Sequence, residues 1–500
     1  MSATSTTPTI SGDTASAPAP YERIERQFIG GEWREGSGEK TLDDVDPYTG
    51  RTLFSVRSAS ADDVDAAYRA AREAQPAWTA MLPQERSAIV ARAATILDAR
   101  KAEVVDWLIR EAGSARVKAE LEVQLVRAGM LEAATYPARI EGRILPTGIP
   151  GKEGRVYRSP VGVVCVISPW NFPLQLTNRS VAPALACGNA VVVKPATDTP
   201  VTGGTLLAKI YEEAGVPKGV YNVVVGSGSE IGDAVVEHPI PRVVSFTGST
   251  PVGQHIGELC GKHVKRVCLE LGGNAPFVVL ADADVERAVD AAVFGKFMHQ
   301  GQICMAINRI VVDRAVYDEF LERFVERVRA LRVGDPNDAR TAIGPIVNDQ
   351  QLKSVLENVE KVKASGARVA LEGRAEGRVL SPIVLADVRN ENAQEELFGP
   401  VALVIPVDGD EEALRVANDV PYGLSSSVFT RDLERGVRFA QRMEAGMTHV
   451  NDAPVNDEPN NPFGGEKESG IGRFGGEWAI REFTTDHWIT LQHEPRRYPI

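Results

Sequence analysis

One cysteine of this chain lies in a setting that suits a nucleophile. Cys304 belongs to the stretch MHQGQICMAINR, where Gly301 and Gln302 predict a turn with an exposed, adaptable backbone. A thiol on such a turn can reach a substrate and bond to it covalently. A structural role stays open, because most cysteines of reduced proteins are small buried hydrophobes. Apolar neighbours predict that structural type for three others: Cys165, Cys187 and Cys268.

Two polar side chains near strand ends could assist such a thiol. Glu270, in CLELGG, follows an apolar strand, and α/β sheets form their sites at the carboxyl ends of strands. Partial burial there would raise its pKa toward the value that a general base needs. Asn171, in SPWNFP, lies in a rigid turn from which its amide could stabilise an oxyanion. An outward-facing Glu270 and a purely structural turn Asn171 remain the alternatives.

A third group of residues suggests a nucleotide. Lys194 ends the strand of VVVKPA, and FTGSTPVG runs from a strand end through Gly248 into a helix start. A lysine beside the amides of a helix start suits a phosphate or ribose. GSGSEIG has one residue too many for the dinucleotide fingerprint, and the chain has no Walker A pattern. No C-x-x-C or H-x-x-x-H pair occurs, so no metal site is predicted.

The elements that would position these residues alternate from residue 161 onwards. VGVVCVIS, NAVVVKP, VYNVVVG and RVVSFTG are continuous apolar runs separated by helical stretches, which predicts a doubly wound α/β sheet. A second α/β block follows Gly273, with a helix predicted over 285–301 before the strand NRIVVD. Upstream, 61–135 is helical, with Ser60 or Asp62 as the first cap. RILPTGIPGKEGRVYRSP predicts a hairpin, and the tail HWITLQHEPRRYPI predicts a strand without a nearby partner.

Composition excludes several classes of protein. A chain of 500 residues predicts two or three domains, and its net charge of −13 disfavours nucleic acid. No apolar run approaches the ~20 residues of a membrane helix. Residues 1–20 hold no Lys or Arg and no apolar core, so we expect a disordered tail rather than a targeting peptide. Five cysteines, an odd number, argue against a disulfide framework, and we expect a cytoplasmic protein.

Taken together, the motifs resemble those of the aldehyde dehydrogenase superfamily, from about residue 25 to the C-terminus. Eight segments occur in the order and spacing of that family: SPWNFP, VVVKPA, FTGST, LELGG, GQIC, EELFGP, YGLSSSVFT and PFGGEKESGIGRFGG. The resemblance implies that Cys304 attacks the aldehyde carbonyl, giving a thiohemiacetal. It implies that Asn171 and the Cys304 backbone N–H hold the oxyanion, and that Glu270 activates the hydrolytic water.

The resemblance also implies NAD or NADP as cofactor. Lys194 would bind the adenosine ribose, Ser249 the pyrophosphate, and Glu396 and Phe398 the nicotinamide ribose and ring. The full set of implied cofactor residues is Trp170, Lys194, Thr197, Gly248, Ser249, Glu396 and Phe398. NAD-selective members carry Glu where this chain has Thr197. A glutamate there would repel a 2′-phosphate, so its absence leaves NADP admissible.

The family's architecture implies a Rossmann-like cofactor-binding domain, an α/β catalytic domain and a small β oligomerisation element. The hairpin and the tail strand match the oligomerisation element, which implies a homodimer or homotetramer. The predicted segments are a tail over 1–20, a cofactor-binding domain over 21–140 and 161–272, a catalytic domain over 273–470, and an oligomerisation element over 141–160 and 482–500.

Three further stretches resemble the benzaldehyde and vanillin dehydrogenase branch: QLTNRSVAPAL, KPATDTPVTGG and HVNDAPVNDEP. Ser180 in the first stands where many members keep Lys. The branch implies an aromatic aldehyde, and Phe172 and Phe463 lie beside matched motifs where they could flank a ring. An aliphatic aldehyde or semialdehyde is the alternative substrate. A CoA-acylating enzyme would lack Glu270, and a catalytically silent homologue would be expected to lose Cys304 or Glu270.

Overall fold

Two large sheets contain the strands that the sequence predicts as buried. The computed structural model describes residues 18–500, so the predicted tail over 1–20 lies outside the described residues except for its last three. The strands of the described chain are β1 (Gln27–Ile29), β2 (Glu32–Arg34), β3 (Thr41–Val45), β4 (Thr52–Arg57), β5 (Arg143–Leu145), β6 (Lys152–Pro160), β7 (Val163–Ile167), β8 (Ala190–Lys194), β9 (Tyr221–Val223), β10 (Val243–Thr247), β11 (Arg266–Glu270), β12 (Ala275–Val279), β13 (Ile307–Asp313), β14 (Arg368–Leu371), β15 (Ala375–Glu376), β16 (Val379–Leu380), β17 (Ile383–Ala386), β18 (Val401–Val407), β19 (Tyr422–Gly423), β20 (Ser425–Phe429), β21 (Met447–Val450), β22 (Glu466–Lys467), β23 (Gly470–Ile471) and β24 (Thr484–Gln492).

Helices pack between and around these strands. Ser60 caps the first of them, because its hydroxyl accepts from the backbone N–H groups of Asp62 and Asp63, so the predicted start is confirmed. Within the described chain the helices are α1 (Ala61–Ala80), α2 (Pro83–Ala99), α3 (Lys101–Ala112), α4 (Arg116–Ala133), α5 (Pro173–Ala186), α6 (Leu206–Glu213), α7 (Asp233–Glu237), α8 (Thr250–Lys262), α9 (Val285–Phe297), α10 (Tyr317–Arg329), α11 (Asp349–Ala364), α12 (Gly409–Asn418), α13 (Leu433–Ala440) and α14 (Gly476–Glu482).

The first sheet has the strand order β2-β1-β9-β8-β7-β10-β11-β23. Its five central strands are parallel and largely buried, as the Val-rich runs predict; in sheet order they are β9, β8, β7, β10 and β11. The chain runs outward from β7 in both directions, so β7 and β10 flank the switch point where α/β proteins bind ligands. Parallel pairing places Ile167 beside Lys194 and Thr247 beside Glu270. The segments that follow these strands therefore meet at one edge.

The second sheet has the order β14-β17-β18-β13-β12-β20-β21. Strand β13 lies at its centre, paired in parallel with β12 and β18. The loop before β13 contains Cys304, so the second sheet delivers the thiol while the first sheet delivers Glu270. The α/β class expected from the sequence is confirmed.

The helix predicted over 285–301 is too long. Helix α9 ends at Phe297, and His299, Gln300 and Gly301 have φ values of +50°, +57° and +73°. These left-handed conformations reverse the chain and are incompatible with a continuing right-handed helix. The apolar periodicity continues through Met298, which is why the sequence pattern did not reveal the end.

A third, smaller sheet joins the tail to the predicted hairpin. Strands β5 and β6 form that hairpin, and β24 pairs antiparallel with β6 from Thr484–Pro160 to Gln492–Lys152. The tail strand thus has a partner more than 300 residues away in the chain, and it ends at Gln492, short of the predicted end of the tail. Trp488 on β24 is 63% exposed and Ile144 on β5 is 77% exposed. Among the described helices, none has the length and apolarity needed to cross a bilayer.

Candidate active site

The loop that holds Cys304 is buried, which corrects the exposed turn expected from the sequence. Gly301 and Gln302 lie in the interior, and the side chain of Cys304 is only partly accessible. A Cβ on Gly301 would lie 2.3 Å from the carbonyl oxygen of Gly399, so only glycine fits at this position. The turn packs against neighbouring backbone, and the thiol lines the two cavities described below.

Two glutamine side chains hold the loop in place. Gln300 donates from Nε2 to the carbonyl oxygen of Pro345 at 2.8 Å and accepts from the Gly344 N–H at 3.1 Å. Gln302 accepts from the Val347 N–H at 3.1 Å. Buried amide groups with such partners have one orientation, so the turn is rigid. The left-handed residues before Cys304 are thus stabilised by contacts outside the loop.

Glu270 reaches Cys304 from the end of β11. The Cys304 thiol donates to Oε2 of Glu270 at 3.8 Å, and the carboxylate is completely buried. The outward-facing alternative for Glu270 is therefore wrong. A Cβ on Gly273 would lie 2.1 Å from the carbonyl oxygen of Cys304, so this glycine permits the close approach of the two segments.

Burial shapes the proton equilibria of this pair. Burial raises the pKa of Glu270 to about 6, while the neighbouring Arg179 guanidinium opposes the rise. Burial, with the Glu270 carboxylate beside it, raises the pKa of the Cys304 thiol well above its usual range. At neutral pH Glu270 is therefore ionised and Cys304 protonated. The carboxylate is the nearest base that can remove the thiol proton.

Asn171 lies against the same turn. Its Nδ2 donates to the carbonyl oxygen of Gln302 at 3.0 Å, and an amide NH₂ has a second N–H to offer. The backbone carbonyl of Asn171 in turn accepts from Nζ of Lys118 at 2.8 Å. An amide fixed in this way beside a thiol is suited to stabilising an oxyanion.

Lys118 and Glu122 form a support that sequence reasoning missed. Both side chains are fully buried and paired with each other on α4. Glu122 also accepts from the N–H groups of Leu174 and Gln175, at the start of α5. This pair connects α4 to the segment that carries Asn171. Its only sequence signal is an i,i+4 spacing, which in most helices indicates a solvent-exposed ion pair.

A cleft at the carboxyl edge of the first sheet, which we call the strand-end cleft, reaches Cys304 from one side. Trp170 and Phe398 meet there edge to face with centroids 5.4 Å apart. Glu396 accepts from the Gly273 N–H at 2.9 Å. Eight of the residues singled out from the sequence line this cleft: Trp170, Asn171, Gly248, Ser249, Glu270, Cys304, Glu396 and Phe398.

The donors around the strand-end cleft fit a dinucleotide. Helix α8 starts here, and its N-cap residue Ser249 makes no side-chain capping bond, which leaves the amides of the first turn for an anion. Lys194 is buried, yet Nζ has a single partner, the carbonyl oxygen of Pro195 at 3.3 Å. Lys194 and the half-buried Thr197 do not line the cleft wall.

A second cavity, the aromatic pocket, reaches Cys304 from the other side. Phe172 and Phe463 line it, as their positions beside the motifs suggested, together with Phe294 and Met298. Its polar lining includes Arg179, which was not recognised from the sequence. Three residues line both cavities: Asn171, Leu176 and Cys304. The thiol thus lies where a ligand in the cleft and a ligand in the pocket would meet.

Known proteins share this whole architecture. Residues 33–489 match the model of the aldehyde dehydrogenase family. A vanillin dehydrogenase of Corynebacterium glutamicum is 54% identical, covering 93% of this chain and 97% of its own. A benzaldehyde dehydrogenase of Bacillus subtilis is 52% identical, covering 96% and 99%. The crystal structure of a NAD-dependent benzaldehyde dehydrogenase from C. glutamicum is 50% identical, with a TM-score of 0.87 and coverage of 94% and 98%. The chain belongs to the aldehyde dehydrogenase family.

Proposed function

We propose that the protein oxidises an aromatic aldehyde of the benzaldehyde or vanillin type to its carboxylic acid, with NAD or NADP as hydride acceptor. The observation that carries the proposal is the place of Cys304 on the walls of both the strand-end cleft and the aromatic pocket. Relatives named as vanillin and benzaldehyde dehydrogenases, similar over nearly the whole chain, support the same substrate class.

The geometry of the site supports the following catalytic roles. Glu270 takes the proton of the Cys304 thiol across 3.8 Å, and the thiolate adds to the aldehyde carbon. The free N–H of the Asn171 amide stabilises the oxyanion of the thiohemiacetal. Bound NAD or NADP supplies the acceptor for the hydride that leaves this carbon. Glu270 releases the thiol proton to solvent and, ionised again, removes a proton from water. The water oxygen adds to the thioester carbon, the C–S bond breaks to release the acid, and the proton returns to the sulfur of Cys304.

The cofactor would be held by residues in and around the strand-end cleft. The Lys194 ammonium would bind the adenosine ribose, with Thr197 nearby, and the start of α8 at Ser249 would bind the pyrophosphate. Glu396 and Phe398 would contact the nicotinamide ribose and ring. Gly248 would allow the backbone to approach, and Trp170, in edge-to-face contact with Phe398, would line the same part of the cleft.

An aliphatic aldehyde or semialdehyde fits the pocket less well. Phe172, Phe294 and Phe463 provide aromatic walls, which stabilise a phenyl ring better than a short chain. A CoA-acylating enzyme or a silent homologue would lack the hydrolytic base or the thiol. Here Glu270 and Cys304 are both present and in contact.

We expect kcat/KM for benzaldehyde and vanillin to exceed that for acetaldehyde by about 10- to 100-fold. Burial of an aromatic ring contributes about 1.5–3 kcal/mol, which is one to two factors of ten. The measurement is the initial rate of NAD(P)H formation at 340 nm with each aldehyde, and succinate semialdehyde is tested as a further aliphatic substrate. Phe294→Ala is a matched variant, since Phe294 is 41% exposed and lines the pocket. It should raise KM for benzaldehyde and leave acetaldehyde unchanged; a higher kcat/KM for acetaldehyde in the wild type would contradict the proposal.

We expect NADP to be accepted within about tenfold of NAD, because a 2′-phosphate near Lys194 would meet an ammonium and the Thr197 hydroxyl. Burial lowers the pKa of Lys194 to about 8, so the relative rate with NADP should fall as pH rises above 8. Thr197→Glu should shift the preference to NAD, whereas the uncharged control Thr197→Val should not. The measurement is kcat/KM for each cofactor at pH 7 and 9. A wild type that prefers NAD more than a hundredfold would exclude this role for Thr197.

We also assign the chain to the family's assembly. The cofactor-binding domain would comprise 21–140 and 161–272, and the catalytic domain 273–470. The three-stranded sheet, from 141–160 and 482–500, would join two or four copies, since β24 leaves one edge free among the described strands and exposes Trp488. All five cysteines are free thiols, which suits the reducing cytoplasm.

A further inference from the structure

Arg179 contacts the proposed base from the substrate side. It lies on α5, its side chain is 6% exposed, and Nη2 donates to Oε2 of Glu270 at 3.2 Å. The same carboxylate oxygen accepts from Sγ of Cys304. The other oxygen, Oε1, is buried and has no protein partner. One oxygen of Glu270 is therefore fixed by a cation while the other is free to accept a hydrogen bond from water.

Two aromatic rings hold the guanidinium of Arg179 in addition to its contact with Glu270. Its central carbon lies 4.2 Å from the ring centroid of Phe463 and 4.7 Å from that of Phe474. Two aromatic faces hold a planar cation in a narrow range of orientations. This packing holds Arg179 in place, with an N–H group directed at the Glu270 carboxylate.

The charges that face Glu270 come from four segments. Arg179 on α5 contributes a positive charge. Asp457 contributes a negative charge, with Oδ2 3.9 Å from Nη1 of Arg179. Glu396 and the ionisable Cys304 thiol complete the set. Negative charge from Asp457 and Glu396 favours a protonated Glu270, whereas the positive charge of Arg179 and the hydrogen bond from the Cys304 thiol favour the ionised form.

We propose that Arg179 is a positioning residue for thioester hydrolysis: it keeps Glu270 ionised and directs its free oxygen toward the water. The inference rests on the proposed function, in which Glu270 is the base. Asp457 acts in the opposite direction on the same carboxylate. The two residues therefore set the pH at which hydrolysis begins, and substitutions of them should move that pH in opposite directions.

The test measures hydrolysis alone. A single turnover of benzaldehyde with excess NAD acylates Cys304, and intact-protein mass spectrometry then follows the loss of the acyl group between pH 5 and 9. Arg179→Gln should move the midpoint of the pH profile upward by about one unit or more, the shift typical of losing an opposite charge at this distance. Arg179→Lys keeps the positive charge and should return the midpoint most of the way to the wild-type value. Asp457→Asn should move the midpoint downward.

Each outcome separates the inference from the function on which it rests. A slower Arg179→Gln enzyme with an unmoved midpoint would show a merely structural arginine and overturn the proposal. If that variant does not fold, Asp457→Asn decides alone, and an unchanged or raised midpoint overturns it. Glu270→Gln should abolish the pH-dependent limb. A limb that persists in Glu270→Gln would instead refute Glu270 as the base.

Discussion

Cys304→Ala is expected to lower the rate of aldehyde oxidation by about three orders of magnitude or more, because the thiohemiacetal cannot form without the sulfur. Glu270 and Asn171 stay in place in this variant but have no covalent intermediate to act upon. The measurement is NAD(P)H formation at 340 nm with saturating benzaldehyde. Cofactor binding should persist, since no phosphate contact involves Cys304 in the proposed site. Quenching of Trp170 fluorescence in the strand-end cleft reports that binding.

Cys187→Ala is the matched control. Cys187 is a buried thiol at the end of α5 and lies outside both cavities. Its loss should cost some stability and leave kcat within about twofold of wild type. Retention of more than a few per cent of the wild-type rate in Cys304→Ala would refute the nucleophile. A comparable loss in both variants would show that the effect is structural.

Glu270→Gln is expected to slow thioester hydrolysis by about 10²- to 10⁴-fold, the usual contribution of a general base. Acylation should continue when the pH is raised enough to ionise Cys304 directly. A stopped-flow trace should then show a burst of NAD(P)H close to one equivalent per Cys304, followed by a slow steady rate. In the wild type the steady rate should fall as pH drops through about 6, where Glu270 takes up a proton.

Glu434→Gln is the control for the same chemical change on an exposed helix, and it should behave as wild type. If the burst of Glu270→Gln disappears together with the steady rate even at high pH, Glu270 is needed before hydrolysis. The main role of Glu270 would then be to remove the proton of the Cys304 thiol. A wild-type rate in Glu270→Gln would exclude both roles.

The buried strands and the candidate chemistry could be predicted from the amino-acid sequence alone. Val-rich runs such as the one over β8 must be buried on both faces, so their number and spacing already specify a doubly wound sheet. Strand ends that carry Lys194 or Glu270 necessarily meet at one edge of that sheet. Eight motifs in order then identified the family, and with it the candidate thiol, base and amide. Apolar runs and short motifs are local features of the chain, so they can be recognised without a structure.

How these groups act on one another depends on contacts that form only in the folded chain. Cys304 and Glu270 are 34 residues apart and belong to different sheets, and their contact depends on backbone that can approach at Gly273. The burial of the Cys304 turn depends on partners such as Pro345 that no local pattern indicates.

The same limit explains why Arg179 and Lys118 escaped notice in the sequence. Each is a charged residue on a helix, and its spacing is that of an ordinary exposed side chain. Their burial follows from which helices pack beneath the active site. Charge in the interior is decided by contacts between distant segments, and those contacts exist only once the chain has folded.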